Sequence, residues 1–411
     1  MKQSLRFYFS LICIGAIAGL VGVLLTFLLH HIQHFAFGYG ADGVEMSFRE
    51  GVQQSSTTQR MTALAICGVL VGAGWYLLQR YGAKLISISK SLEKPQQGVP
   101  FFTTIAHALL QIITVGLGSP LGREVAPREM SVAFASAWIR KINLSDDDAK
   151  LLLACASGAG LTAVYNVPLA ATIFILETMV LTFTKRSFAA ALICVVTATL
   201  VSRAFLGDLV QYAHLPTPQL NTALLVFAAV IGLIIGVMAN IFQFTAKKFP
   251  LVPRTSKRIV LIAMIVFLLI GGISIYQPEI LGNGKPGNQL TFGEMITWNE
   301  SVQLFALKWI VVLLALAAGA YGGLITPSMM LGSTLAYALA VGWNLFFPSI
   351  SLEAVAIIGA CAFLGISLKM PLTSVAFLLE LTRSSAEMLM PLSIVMATAV
   401  IADKLYQRIM K

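Results

Sequence analysis

Apolar runs, broken at short intervals by glycine, proline or a knot of charge, make up most of the chain. Residues 7–29 form the first. This run follows Lys2 and Arg6, outlasts the core of a signal peptide and is not followed by a small-residue cleavage site. It predicts a retained helix with a cytoplasmic N-terminus, closed off by His30, His31 and His34. Residues 61–78, 189–201, 223–242 and 259–276 predict further spans from their apolar character. Residues 38–60 and 281–293 read as loops, and 247–258 as a basic loop. Residues 80–99, with Arg80, Lys84, Lys90, Lys94 and Pro95, read as a basic, broken segment at the cytoplasmic face. The runs 101–117, 151–162, 304–318 and 354–368 behave differently, because each leads into a short break after which apolar sequence resumes. The final runs are 372–381 and 389–402, followed by a tail at 403–411.

Two of the breaks carry chemistry. Residues 118–130 read G-S-P-L-G-R-E-V-A-P-R-E-M, and residues 319–327 read G-A-Y-G-G-L-I-T-P. A broken segment at membrane depth leaves backbone amides without partners unless something binds them. The positive end of the helix that follows favours an anion. Glu124 can take the anion's place when ionised and leave it when protonated. The amides following Gly122 and Gly323 are therefore candidate ligands, whatever side chains they carry. The competing readings are that these glycines only permit close helix packing and that Glu124 pairs with Arg128, four residues on.

The breaks also repeat. Pro168, Phe174 and Glu177 recur as Pro371, Phe377 and Glu380, each 203 residues on, and Gly122 and Pro127 recur as Gly322 and Pro327, 200 residues on. Interrupted helices in corresponding positions of two halves, 7–206 and 222–408, predict a transport site at the repeat interface within one domain, 1–411. Glu177 and Glu380 read as caps for helix contacts rather than as proton carriers.

Composition narrows the class. Of 411 residues, 57% are hydrophobic and 11% charged, against about 25% charged in soluble domains. The chain reads as an all-α, multi-pass membrane protein. Its net charge of +10 reflects Lys and Arg flanking helices, so no nucleic-acid partner is expected. The five cysteines show no pair spacing and read as packed thiols. His30 and His34 have the i, i+4 spacing of helical metal ligands but no acidic or Cys neighbour, and read as interfacial. Asp146, Asp147 and Asp148 form an acidic first turn behind an N-cap at Asn143 or Ser145 rather than a calcium loop. Gly282 and Gly284 lack the Lys-Ser/Thr of a phosphate cradle. No cofactor or metal is expected. An enzyme is not expected either, because H-E-x-x-H, paired intramembrane aspartates and a Ser–His arrangement near a glycine elbow are missing from the sequence. A membrane scaffold would not need repeated broken helices.

Four places resemble the CLC family of chloride channels and proton–chloride exchangers, over about residues 7–408. Gly122-Arg123-Glu124 resembles the start of G-R-E-G-P, whose glutamate is the family's external gate. Gly323-Leu324-Ile325-Thr326-Pro327 resembles G-x-F-x-P, whose central amides coordinate the anion. Asn166-Val167-Pro168-Leu169 through Glu177 resembles the N-A-P-L-A…E helix, and Tyr406 resembles a tyrosine whose hydroxyl contacts the central anion. The resemblance implies two inverted repeats with re-entrant half-helices, one pore per subunit and a homodimer in the lipid of a bacterial inner (plasma) membrane. It implies transport of small inorganic anions, chloride first, linked to protons through Glu124. Arg123, Glu124, Val125, Leu324, Ile325 and Tyr406 would then line the anion path, framed by Gly122, Pro127, Gly323 and Pro327. No C-terminal regulatory domain is expected, since few residues follow Tyr406.

The departures from the family pattern bear on mechanism. The gate motif is one residue longer between Gly122 and Pro127, and Ile325 replaces the usual phenylalanine. The family's G-S-G-I-P falls on Gly82-Ala83-Lys84-Leu85-Ile86, without the anion-contacting serine. Thr178 stands where exchangers often carry an inner proton-loading glutamate. A passive anion pathway, or one with altered selectivity for fluoride or nitrate, is therefore the alternative.

Overall fold

The computed structural model describes residues 2–40, 46–208, 210–212, 215 and 220–410, and the regular elements among them are helices. In the first half α1 (Lys2–Phe37) is followed by α2 (Phe48–Gln54), α3 (Thr57–Val69), α4 (Trp75–Tyr81), α5 (Ile88–Glu93), α6 (Phe101–Gly116), α7 (Val125–Ile139), α8 (Asp146–Tyr165), α9 (Pro168–Phe174) and α10 (Lys185–Leu206). The second half runs through α11 (Thr222–Lys248), α12 (Arg258–Ile273), α13 (Lys285–Phe292), α14 (Trp298–Ala317), α15 (Ile325–Phe346), α16 (Leu352–Ser367), α17 (Pro371–Thr382) and α18 (Leu389–Ile409). Among the described residues, seven helices are long and apolar enough to cross a membrane, and the protein is a multi-pass membrane protein.

Three stretches differ from expectation. The loop expected at 38–60 contains α2, started by a capping box in which Ser47 accepts from the Glu50 amide and the Glu50 carboxylate accepts from the Ser47 amide. The loop expected at 281–293 contains α13, which Gly284 enters at φ 101° with Pro286 in its first turn. The expected tail continues α18 to Ile409. These pieces are too short or too polar for an apolar-length criterion to register. Ser145 is the cap of α8, accepting from the Asp148 amide.

Side-chain bonds sort the loops onto two faces. Trp138 donates to Ser10, Gln96 donates to the Leu144 carbonyl, and Arg186 pairs with Asp148 and lies over the Phe7 ring. The start of α1, the loop before α6 and the end of α7 therefore share one face, called the N-terminal face below. The end of α1 lies on the opposite face.

The two halves correspond in backbone detail. Asn166 and Lys369 both take left-handed φ, 58° and 55°, each two residues before Pro168 or Pro371, which start α9 and α17. Glu177, in the π turn Ile175–Val180 that extends α9, accepts from the Leu372 and Thr373 amides at 2.9 and 2.8 Å and from the Thr373 hydroxyl at 2.6 Å. Glu380 in α17 accepts from the Leu169 and Ala170 amides at 2.9 and 2.7 Å. Each carboxylate thus caps the other half's broken helix, satisfying first-turn N–H groups that would otherwise lack partners. Lys308, inside the apolar run of α14, is fully buried and donates to the Ile280 and Gly282 carbonyls at 3.0 and 2.8 Å.

Candidate functional site

The two broken motifs meet and satisfy one another. Gly118 and Gly319, with φ of 101° and 90°, turn the chain sharply after α6 and α14 into the breaks; left-handed backbone of this kind is cheap only for glycine. The Gly122 amide then donates to the Gly323 carbonyl at 2.7 Å and the Gly323 amide to the Gly122 carbonyl at 2.8 Å, as an isolated antiparallel pair. Four polar backbone groups at membrane depth are paired in this way. The helix starts, Val125 and Ile325, keep the offset of 200 seen in sequence, but the bridged glycines do not: Gly122 pairs with Gly323, not Gly322. Arg123 and Glu124 separate bridge from helix on one side, and only Leu324 does so on the other. The first break thus holds one residue more than the second between bridge and helix, and the Glu124 side chain crosses the bridge to the other helix start.

Glu124 is 1% exposed. Its Oε1 accepts from the Ile325 amide at 2.7 Å, at the first residue of α15, so the carboxylate sits on the positive end of that helix. Its Oε2 accepts from the Tyr165 hydroxyl at 3.1 Å, and Tyr165 also contacts the Thr326 hydroxyl at 2.8 Å. A tyrosine has one hydroxyl proton; if it goes to Glu124, Thr326 supplies its own to Tyr165, and the two bonds polarise each other. Among the described residues no cation lies within ion-pair distance of this carboxylate. Arg128 turns its guanidinium onto the Phe174 ring, 4.6 Å away, and its Nε donates to Ser157 at 3.2 Å, so the helical Glu124–Arg128 pair does not form.

The remaining candidates fall into two groups. The Val125 and Leu324 amides flank the site and donate to no described residue. Pro127 and Pro327 are each the third residue of their helices, where a missing N–H costs nothing. Arg123 points away from Glu124; its guanidinium donates to the Val164 carbonyl at 3.2 Å and to Gln211 at 3.4 Å. With His30, His34 and Lys285 it lines a cavity of about 500 Å³ on the face opposite the N-terminus. Thr178 spends its hydroxyl on the Phe174 carbonyl at 2.7 Å. Tyr406 is half-buried near the end of α18, and its hydroxyl bonds no described residue. The Ala83 amide donates to the Thr103 hydroxyl in the first turn of α6, at the N-terminal face. Tyr165 and Thr326 are the side chains that sequence reasoning missed. Thr326 could have been found as the polar residue in the second motif; Tyr165 carried no such signal.

A profile of the voltage gated chloride channel family matches residues 63–404. The chain is 25% identical to the H(+)/Cl(-) exchange transporter ClcA of Vibrio campbellii over 95% of its length and 85% of the relative's. It is 26% identical to ClcA of Yersinia pseudotuberculosis over 90% and 78%. Its fold superposes on a slow cyanobacterial Cl-/H+ antiporter with a TM-score of 0.82 at 19% identity, covering 98% of this chain and 95% of the other. A CLC-type fluoride/proton antiporter gives 0.72 at 20% identity, covering 98% and 97%. The bridged breaks, the carboxylate on a helix N-terminus and a profile match over most of the sequence together make this chain a member of the voltage gated chloride channel family.

Proposed function

We propose that the protein exchanges a small inorganic anion, chloride first, for protons across a bacterial inner membrane. The observation that carries this is the Glu124 carboxylate on the Ile325 amide. An anion bound there by backbone dipoles needs no cationic side chain and leaves more readily than it would leave a buried arginine. The ionised carboxylate holds the seat. Once protonated it loses the charge that the helix end favours and can withdraw, and the anion then takes the place beside the Val125, Leu324 and Ile325 amides. The cationic cavity at Arg123 and Lys285 raises anion concentration at the entrance. The relatives' printed names support both halves of the exchange. The N-terminal face, with Lys84, Arg140, Lys141 and Arg186, is the cytoplasmic one. Residues 1–411 act as one transport unit, with halves 7–206 and 222–408, in a homodimer surrounded by lipid.

A passive or differently selective pathway is the second reading, favoured by Thr178 and Ala83 at positions where a titratable group and a hydroxyl would serve coupling and chloride. One experiment separates them. Protein in liposomes under an outward chloride gradient is followed for chloride efflux and internal pH together, beside Glu124→Ala. Proton movement against its gradient, lost in Glu124→Ala while chloride still flows, supports exchange. Chloride flux without protons supports the passive reading, and no flux of chloride, fluoride or nitrate in either protein sinks both.

A further inference from the structure

A protein that couples anions to protons must load Glu124 with protons from the cytoplasmic face, and Thr178 has no group that titrates there. Resting on the proton-linked reading above, we infer that the buried pair His107–Glu129 is the inner proton-loading site. Its position is the required one. Helix α6 begins at the N-terminal face, and α7 runs from the gate back toward that face. His107 is in the second turn of α6, and Glu129 follows Glu124 by five residues, about 7.5 Å along the axis.

The bonding leaves one atom open to a proton. The Trp75 indole N–H donates to His107 Nδ1 at 2.8 Å. The neutral ring therefore carries its proton on Nε2, which lies 3.4 Å from Glu129 Oε2. Gln111 Nε2 donates to the same oxygen at 2.8 Å. Both donors converge on Oε2, whereas Oε1 bonds no described residue and the side chain retains 18% exposure. The Gln111 Oε1 is buried without a partner, so the cluster also offers an unmet acceptor for a proton-bearing water. His107, 3% exposed, cannot take a second proton on Nδ1 without losing the Trp75 bond. Glu129 is thus the member that changes charge.

The surrounding charges leave it free to do so. Arg128, beside it in sequence, faces Phe174 and Ser157. On the other side of His107 the Tyr321 ring meets the imidazole edge-on at 4.6 Å between centroids, and the Arg254 guanidinium lies 3.8 Å from the Tyr321 ring centre. Tyr321 stands two residues before Gly323, so the pair packs against the bridged break. A proton from cytoplasmic water bonds to Glu129 Oε1 and neutralises it. It then passes through hydrogen-bonded water to the Glu124 carboxylate and restores the Glu129 anion. Neutral Glu124 leaves the Ile325 amide, and the anion enters.

The test is paired anion and proton recording from liposomes. Glu129→Gln leaves Glu124 to take protons only from the face opposite the N-terminus, so anions still cross while protons moved per anion fall at least about tenfold. Glu129→Asp retains most of the coupling, and His107→Phe loses it. A structural role would not lower the ratio while sparing the flux, nor be rescued by aspartate. Unchanged coupling in Glu129→Gln overturns the assignment. If that variant fails to fold, unchanged coupling in His107→Phe overturns it equally. A wild type that moves anions without protons is a different result, which removes the coupled reading itself.

Discussion

Gly323→Ala separates an anion seat from a packing site. A Cβ at residue 323 would overlap the Glu124 carboxylate and stand 2.8 Å from Glu124 Cγ, against an ordinary contact of 3.4–4 Å. The carboxylate therefore has to leave its 2.7 Å bond to the Ile325 amide. A hydrogen bond to a charged group contributes about 1.5–3 kcal/mol, so its loss weakens whatever sits there roughly 10- to 150-fold. The two readings part at the next step. If the glycine only makes room for Glu124, then Gly323→Ala with Glu124→Ala relieves the clash and restores flux. If an anion uses the same place, the methyl group obstructs the anion as it obstructs the carboxylate. The expected outcome is that Glu124→Ala conducts without coupling, Gly323→Ala conducts at least about tenfold less than wild type, and the double variant stays as slow as Gly323→Ala. The assay is chloride efflux from liposomes, normalised to protein recovered in the membrane. Recovery of flux in the double variant would refute the seat.

Tyr165→Phe removes the hydroxyl bond to Glu124 at 3.1 Å, which contributes about 1.5–3 kcal/mol; the gate opens more often, read as faster efflux at neutral pH, and efflux equal to wild type speaks against the network. Glu177→Ala and Glu380→Ala each uncap the partner half's helix and lower stability by about 1–2 kcal/mol, read as earlier thermal unfolding in detergent, with similar shifts for both. Asp208 accepts from Asn166 at 2.9 Å and pairs with Arg383 at 2.7 Å, and those bonds hold its carboxyl below the ordinary value of 3.8. The folded pKa is depressed, so the contribution is complete above pH 3.8 and fades as pH falls through the lowered value; the melting temperature of Asp208→Asn relative to wild type should be pH-independent from 7 to about 5 and converge only in stronger acid.

The spans and both breaks were legible because lipid leaves few choices. A backbone at membrane depth must be helical or find partners, so Gly- and Pro-rich interruptions stand out from apolar sequence. The offset of 203 between Pro168 and Pro371 stood out for the same reason. The short helices α2 and α13 were not legible, because capping boxes and a proline in the first turn start them without an apolar run. Lys308 went unremarked within an apolar stretch because nothing local reveals that two carbonyls from residues 280 and 282 reach it.

At the site, sequence named the acid and the amides but not their pairing. Glu124 and Ile325 are 201 residues apart, and each motif alone supplies half an arrangement: a carboxylate without donors, and donors without an anion. What joins them is the Gly122–Gly323 bridge, which no one-dimensional pattern encodes, since the sequence offset pointed to Gly322. The additional residue in the first break decides the outcome. It places Glu124 two residues beyond the bridged Gly122, directly before α7, where the side chain lies across onto the Ile325 amide of α15, a helix end whose potential favours the ionised acid over the protonated one. The second break has only Leu324 between bridge and helix and so offers no titratable side chain there. On the exchange reading proposed above, this asymmetry between the two breaks is where control would reside, and Glu124 would carry it.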